Sequence, residues 1–174
     1  GDPLFRQDGA ITSLTFDVDG KTLVSTSADG TVLRWDANNR RTIGNPLAGH
    51  SRPATSAVFD DDRRWLASGG EDGTVALWSI DGEASLGRSV GGHDGTVTAL
   101  AFRPTSSKVE AEVDLVSGGN DEVVAFWHSS GSIPAARGQP VTVGGKVRRL
   151  AVSNDGMRMA VGTDRGTVQT WTWH

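Results

Sequence analysis

The chain has 174 residues, 36% of them hydrophobic, with 23 glycines, six tryptophans, no cysteine and a net charge of −4. That length can bury about 70% of the unfolded surface, while the missing cysteine excludes disulfides, thiolate zinc sites and a cysteine nucleophile. No apolar run is long enough to span a bilayer and no secretory leader opens the sequence, so it reads as a soluble, cytoplasmic protein or domain.

A turn followed by a β-rich run ending in tryptophan recurs four times. It reads SADGTVLRW to Trp35, GEDGTVALW to Trp78, GNDEVVAFW to Trp127 and TDRGTVQTW to Trp171. The intervals between these tryptophans are 43, 49 and 44 residues, a period that marks a repeat architecture. A second landmark keeps the same beat: Phe16, Phe59 and Phe102, with Val152 in the fourth copy, stand 43, 43 and 50 residues apart. The copies run over about 1–43, 44–86, 87–137 and 138–174.

The first copy opens on GDPLFRQ, which aligns without gaps on GNPLAGH at 44–50, so the chain starts inside a repeat. Lacking an initiator Met, it reads as cut from something longer or processed. The second copy displays its strands most plainly, as ATSAVF, RWLASG, TVALWS and a weaker run near ASLGRSV. Gly, Asp and Pro punctuate these runs as tight turns do.

Six extra residues enter the third copy within RPTSSKVEAEVD, because Phe102 to Ser117 spans 15 positions where Phe59 to Ser68 spans 9. An insertion there falls between the first and second strands and reads as a docking loop or as drift. The fourth copy is basic. It holds Lys146, Arg148, Arg149, Arg158 and Arg165 against Asp155 and Asp164, about +3, which leaves about −7 for the rest. Such opposed charge can orient assembly. Nowhere does a 3.6-residue apolar period persist over three turns, and β-branched residues crowd the runs, so four strands per copy and essentially no helix are predicted. A four-stranded antiparallel unit cannot bury both faces alone, and radial stacking into a β-propeller supplies its neighbours.

The pairs Gly49–His50 and Gly92–His93, together with Trp35–Asp36, resemble the GH and WD signatures of the WD-repeat (WD40) β-propeller family. The resemblance spans the whole chain. It implies an all-β fold of four WD40-type blades, each of four antiparallel strands, forming a partial propeller or half of a dimeric ring. In this family the outermost strand of one blade precedes the inner three of the next, so residues 1–5 would pair beside the final strand at Thr167–Trp173. Family rings usually hold about seven blades. Three completions stay open: a fragment of a larger propeller with additional blades from a longer parent chain, a homodimer completing an eight-bladed ring, and a closed ring of four.

His50, Ser68, Asp72 and Trp78 in copy two, and His93, Ser117, Asp121 and Trp127 in copy three, contain the residue types of a hydrolytic triad. The family resemblance implies a structural role instead. The Asp orients the His, the His reaches the Ser, and the Ser reaches the indole N–H. Copy one has Gln7 at the His position, while copy four keeps Trp171 but has Val161 and Arg165 at the Ser and Asp positions. Blades two and three are therefore expected to be the most rigid. His50, His93, His128 and His174 fall in separate repeats without HxH or HExxH spacing, so no metal site and no cofactor is predicted. Gly69–Gly70 and Gly118–Gly119 match neither GxGxxG nor a P-loop and read as turn glycines.

Loops on a rigid scaffold are the natural binding elements. Carried over from the family, the exposed positions ahead of each first strand are Asp8 and Ala10, Ser51 and Pro53, Asp94 and Thr96, and Gly144 and Lys146. Those beside the turn aspartate are Ala28, Glu71, Asn120 and Asp164. The candidate binding residues are thus Asp8, Ser51, Glu71, Asp94, Asn120, Lys146, Arg148 and Asp164. Arg148 and Arg149 are included in this region because they replace small residues, Thr55 and Ser56 for example, on the channel-lining strand. A long cation there needs a carboxylate, water or a partner. Asp8, Glu71 and Asp94 give this ring an acidic character that turns mixed near Lys146, which suits a basic or amphipathic peptide. The style GxPLxGH followed by SGGxDGTVxLW looks like bacterial WD-repeat arrays fused to signalling ATPases, kinases or proteases. The expected function is a non-enzymatic protein-interaction scaffold or sensor. A nucleic-acid reader built on the basic fourth repeat and a propeller-fold hydrolase are the alternatives.

Overall fold

The computed structural model describes residues 7–61, 64–80, 87–104, 112–130 and 135–173. Seventeen strands and no helix make up these residues, arranged as four antiparallel sheets in chain order. Sheet one holds β1 (Ile11–Phe16), β2 (Thr22–Ser27), β3 (Thr31–Asp36) and an outer strand broken into β4 (Arg41–Thr42) and β5 (Leu47–Ala48). Sheet two is β6 (Ala54–Phe59), β7 (Trp65–Gly70), β8 (Thr74–Ser79) and β9 (Gly87–Gly92). In sheet three, β10 (Val97–Arg103), β11 (Glu112–Gly119) and β12 (Val123–Ser130) are flanked by another broken outer strand, β13 (Ala135–Ala136) and β14 (Val141–Thr142). Sheet four has three described strands, β15 (Val147–Val152), β16 (Arg158–Thr163) and β17 (Val168–Thr172). Each outer strand precedes the first strand of the next sheet, so sequence repeat and blade are staggered. Residues 1–5, expected to edge β17, and most of the insertion, 105–111, lie outside the described residues.

The turns follow from local chemistry. In the first blade Asp29 accepts the Thr31 backbone N–H at 2.8 Å and the Thr31 hydroxyl at 2.6 Å, closing the turn between β2 and β3. Gly30 follows with φ +86°, and Gly73 and Gly166 repeat that left-handed step at +77° and +74°. In the third blade Glu122 takes the same conformation at φ 65° and reaches Arg165 of the fourth blade at 3.1 Å.

Packing runs between successive sheets. Val24, Val32 and Leu47 of the first meet Ala54, Ala57, Leu66 and Trp78 of the second. Ala67, Val75, Leu77 and Val90 then meet Val97, Leu100, Leu115 and Trp127, and Val116 and Val124 meet Val147, Met159 and Val161. Three seams of the same design therefore hold four blades. Among the described residues, no comparable contact joins the fourth sheet to the first.

All four first strands carry a register shift at the same place, across Thr12, Thr55, Thr98 and Arg148. A bulge re-aims the side chain it carries. Here the three threonine hydroxyls, besides meeting Thr26, Gly69 and Gly118 on the second strand of their own blade, reach the carbonyls of Ala54, Val97 and Val147 at the start of the following blade.

Candidate functional site

The tetrads assemble in blades two and three. Ser68 on β7 accepts the Trp78 indole N–H at 2.9 Å and lies 2.7 Å from His50 Nε2. Ser117 on β11 accepts the Trp127 indole at 2.8 Å and lies 2.7 Å from His93 Nε2. A neutral imidazole so placed accepts the serine proton at Nε2 and donates from Nδ1. His93 Nδ1 meets Asp121 Oδ2 directly at 2.9 Å. His50 Nδ1 meets the Thr74 hydroxyl at 3.0 Å and Asp72 Oδ1 at 3.3 Å, because Thr74 itself donates to that carboxylate. Burial works against ionisation of Asp72, but the Thr74 hydroxyl and amide, the Ser51 amide and His50 outweigh it and lower its pKa to about 2.

Ser68 and Ser117 are fully buried, and each is already engaged by an indole and an imidazole. A nucleophile must reach a substrate, so this geometry serves packing. Among the described residues, no group of three or more His, Asp or Glu side chains is placed to hold a metal ion.

Blade one rebuilds the chain without histidine. The Gln7 amide nitrogen donates to the Thr31 hydroxyl at 2.8 Å, its carbonyl accepts from Ser25 at 2.5 Å, and Ser25 accepts the Trp35 indole at 2.8 Å. Sequence comparison identified the substitution but not its competence; the signal available was that an amide also offers one donor and one acceptor. Among the described residues blade four has no such chain. Its Trp171 is half-buried, whereas Trp35, Trp78 and Trp127 are buried.

The glycine pairs correct the turn reading. Gly69–Gly70 and Gly118–Gly119 end β7 and β11 within the sheets. A Cβ on Gly69 would stand 2.5 Å from Val97 of the next blade, and one on Gly118 would stand 2.4 Å from Val147. Their partners Gly70 and Gly119 admit His50 and His93 at similarly close range. Close approach, rather than backbone reversal, demands glycine here.

The loop residues fall into four equivalent stations at one end of the sheets. In each blade the turn between the second and third strands donates a backbone N–H to the loop ahead of the first strand: Ala28 to Ala10, Glu71 to Pro53, Asn120 to Thr96, and Asp164 to Lys146. Asp8, Ser51, Glu71, Asp94, Lys146, Arg148 and Asp164 are exposed, and Asn120 is half-buried. The fourth station gathers three of them, since Asp164 accepts the Lys146 backbone N–H at 2.9 Å and lies 3.9 Å from the Arg148 guanidinium. Arg149 donates to the Arg148 carbonyl at 2.7 Å.

A second cluster, at the other end of the sheets, went unmarked in the sequence. Asp114 accepts from Arg103, His128 and Arg137, and Arg103 also lies 4.9 Å over the Trp173 ring. It borders a cleft of about 330 Å³ between blades three and four. Its members come from three strands and a loop, so no linear motif announces it.

Stacked antiparallel sheets, three of them with an internally bonded tryptophan, define a propeller-type repeat protein. The WD domain, G-beta repeat family matches residues 2–36, 41–79 and 84–128, more than half of the sequence, and the chain belongs to that family. Its repeats generally serve as scaffolds for protein interaction and are generally non-enzymatic. The fold is similar to the crystal structure of the computationally designed Ika4 protein, at 29% identity and a TM-score of 0.78, covering 99% of this chain and 96% of that one. No curated protein sequence matches the chain. No helix among the described residues is long and apolar enough to cross a membrane.

Proposed function

We propose that this chain is a non-enzymatic interaction module that binds a protein or peptide through the loops at one end of its blades, with Asp8, Ser51, Glu71, Asp94, Asn120, Lys146, Arg148 and Asp164 as contact residues. The observation that carries this reading is the fourfold repetition of one loop-to-loop hydrogen bond, which holds variable side chains on a rigid frame. Exposed Asp8, Glu71 and Asp94 give three stations acidic character, and the fourth is mixed. A basic or amphipathic peptide is the complementary ligand. By likeness to bacterial arrays fused to signalling enzymes, the module acts as the recognition or sensor part of a regulatory protein. We take its compartment to be the cytoplasm, which fractionation of a tagged chain checks.

The test is a panel of basic amphipathic peptides offered to the wild-type chain and to an Asp8→Lys, Glu71→Lys, Asp94→Lys variant. Binding lost in the variant and retained in the wild type supports the reading; equal binding by both contradicts it. A nucleic-acid role has one observation in its favour, the exposed Lys146, Arg148, Arg149, Arg158 and Arg165 of the fourth blade. Binding of single- or double-stranded DNA or RNA that falls steeply with salt would favour that role over the peptide reading.

A further inference from the structure

The two ends of the array carry the two halves of one unfinished seam. Val32, Val75 and Val124, at matching positions on β3, β8 and β12, are all fully buried, whereas the equivalent Val168 on β17 is 75% exposed. At the opposite end Ile11 and Leu14 of β1 are 50% and 61% exposed, although their equivalents Val97 and Leu100 are buried against the preceding blade. Single exposed apolar residues are ordinary on a protein surface. Here, however, each stands where the internal seams bury its counterpart.

Backbone sockets tell the same story. Gly69 and Gly118 receive Val97 and Val147 of the next blade, while among the described residues their counterpart Gly162 has only Arg149 near it, at 3.9 Å. Gly30 and Gly73 press on the carbonyls of His50 and His93 of the next blade, while Gly166 has none of the described residues within 4 Å. Blade four thus offers a socket and blade one the knob that fits it. Among the described residues sheet four also lacks an outer strand, which leaves one edge of β17 open.

We propose that a second copy of this chain occupies these faces, blade one of each copy packing on blade four of the other, so that two chains close a ring of eight blades. By the register of the internal seams, Ile11 of the partner copy enters the Gly162 socket and Leu14 covers Val168. Gly166 lies against the partner's Gln7–Gly9 segment. Arg148, set on the bulge whose threonine equivalents donate to the following blade, reaches the partner's Ile11 carbonyl. Charge agrees with this pairing, because Arg165 and Lys146 come to lie beside the partner's Asp8. Head-to-tail contacts either close or run on as filaments. The completed ring also brings the acidic first station next to the mixed fourth, so the binding face of the Proposed function becomes continuous.

Light scattering coupled to size exclusion on the 174-residue chain tests this. The expected mass is twice 18.3 kDa. Ile11→Asp and Val168→Asp each place a carboxylate on a face that is exposed in the single chain, and each should give a folded monomer, with the wild-type far-ultraviolet dichroism. An equimolar mixture of the two should recover a dimer through its one intact seam. A wild-type monomer at 100 μM, as expected if further blades of a longer polypeptide cover these faces, would overturn the proposal. So would an open polymer, or dimerisation untouched by both substitutions. Because Asp8 stands at this seam, the peptide panel is repeated with a Glu71→Lys, Asp94→Lys variant that leaves it intact, so that binding and mass can each fail alone.

Discussion

Gln7 separates the geometry of the tetrad from the chemistry of its histidine. An amide offers the same donor and acceptor to Thr31 and Ser25 that imidazole offers in the next two blades. Removing the shared serine should therefore be worse than removing bulk alone. Ser68→Ala leaves the His50 and Trp78 nitrogens buried without partners, at about 1 to 3 kcal/mol each, and urea unfolding is expected to register that loss. Asp72 adds a pH signature. Its folded pKa of about 2 lies below the ordinary 3.8, so it stabilises the fold above about pH 4 and loses that contribution as pH falls toward 2. Asp72→Asn should flatten the stability profile across that window; an unchanged profile would contradict the assignment. Arg34 makes the opposite kind of prediction. Its guanidinium is buried, burial lowers its pKa, and neither Nε nor Nη2 finds an acceptor among the described residues. Leu77 fills the equivalent place in blade two, so Arg34→Leu should raise stability by about 1 kcal/mol or more.

Each strand works at two boundaries, its own ladder and the seam with the next blade. The glycines at the ends of β7 and β11 show how tightly the second boundary is set. Gly69→Ala forces a methyl against Val97 and should cost about 1 to 3 kcal/mol. Trp78 spans both boundaries, bonded to Ser68 within its blade and packed toward Gly49, just after the preceding outer strand. Trp78→Ala should cost about 3 to 5 kcal/mol in the same unfolding measurement, and a loss under about 1 kcal/mol would refute its structural role. These elements were largely legible in the sequence. ATSAVF and TVALWS coincide with β6 and β8, because alternation, β-branching and flanking glycine all act locally. The glycine pairs were misread because what constrains them is a valine or histidine that the chain brings near only on folding. Asp114 and its three basic neighbours escaped for the same reason.

Four blades held in series make a molecule whose stability is set by neighbours rather than by any single sheet. Blades two and three have both faces covered and complete tetrads, blade one has a face bare, and blade four lacks both a tetrad and its outer strand among the described residues. The repeat period alone indicated the series; the bare faces became visible only when equivalent residues could be compared for burial. Hydrogen exchange resolved by strand separates the blades, with the Val168→Asp variant used so that association does not protect the ends. The slowest exchange is expected in β7, β8, β11 and β12, with β1, β16 and β17 opening first. Uniform exchange along the chain, or greatest protection in the fourth blade, would contradict it.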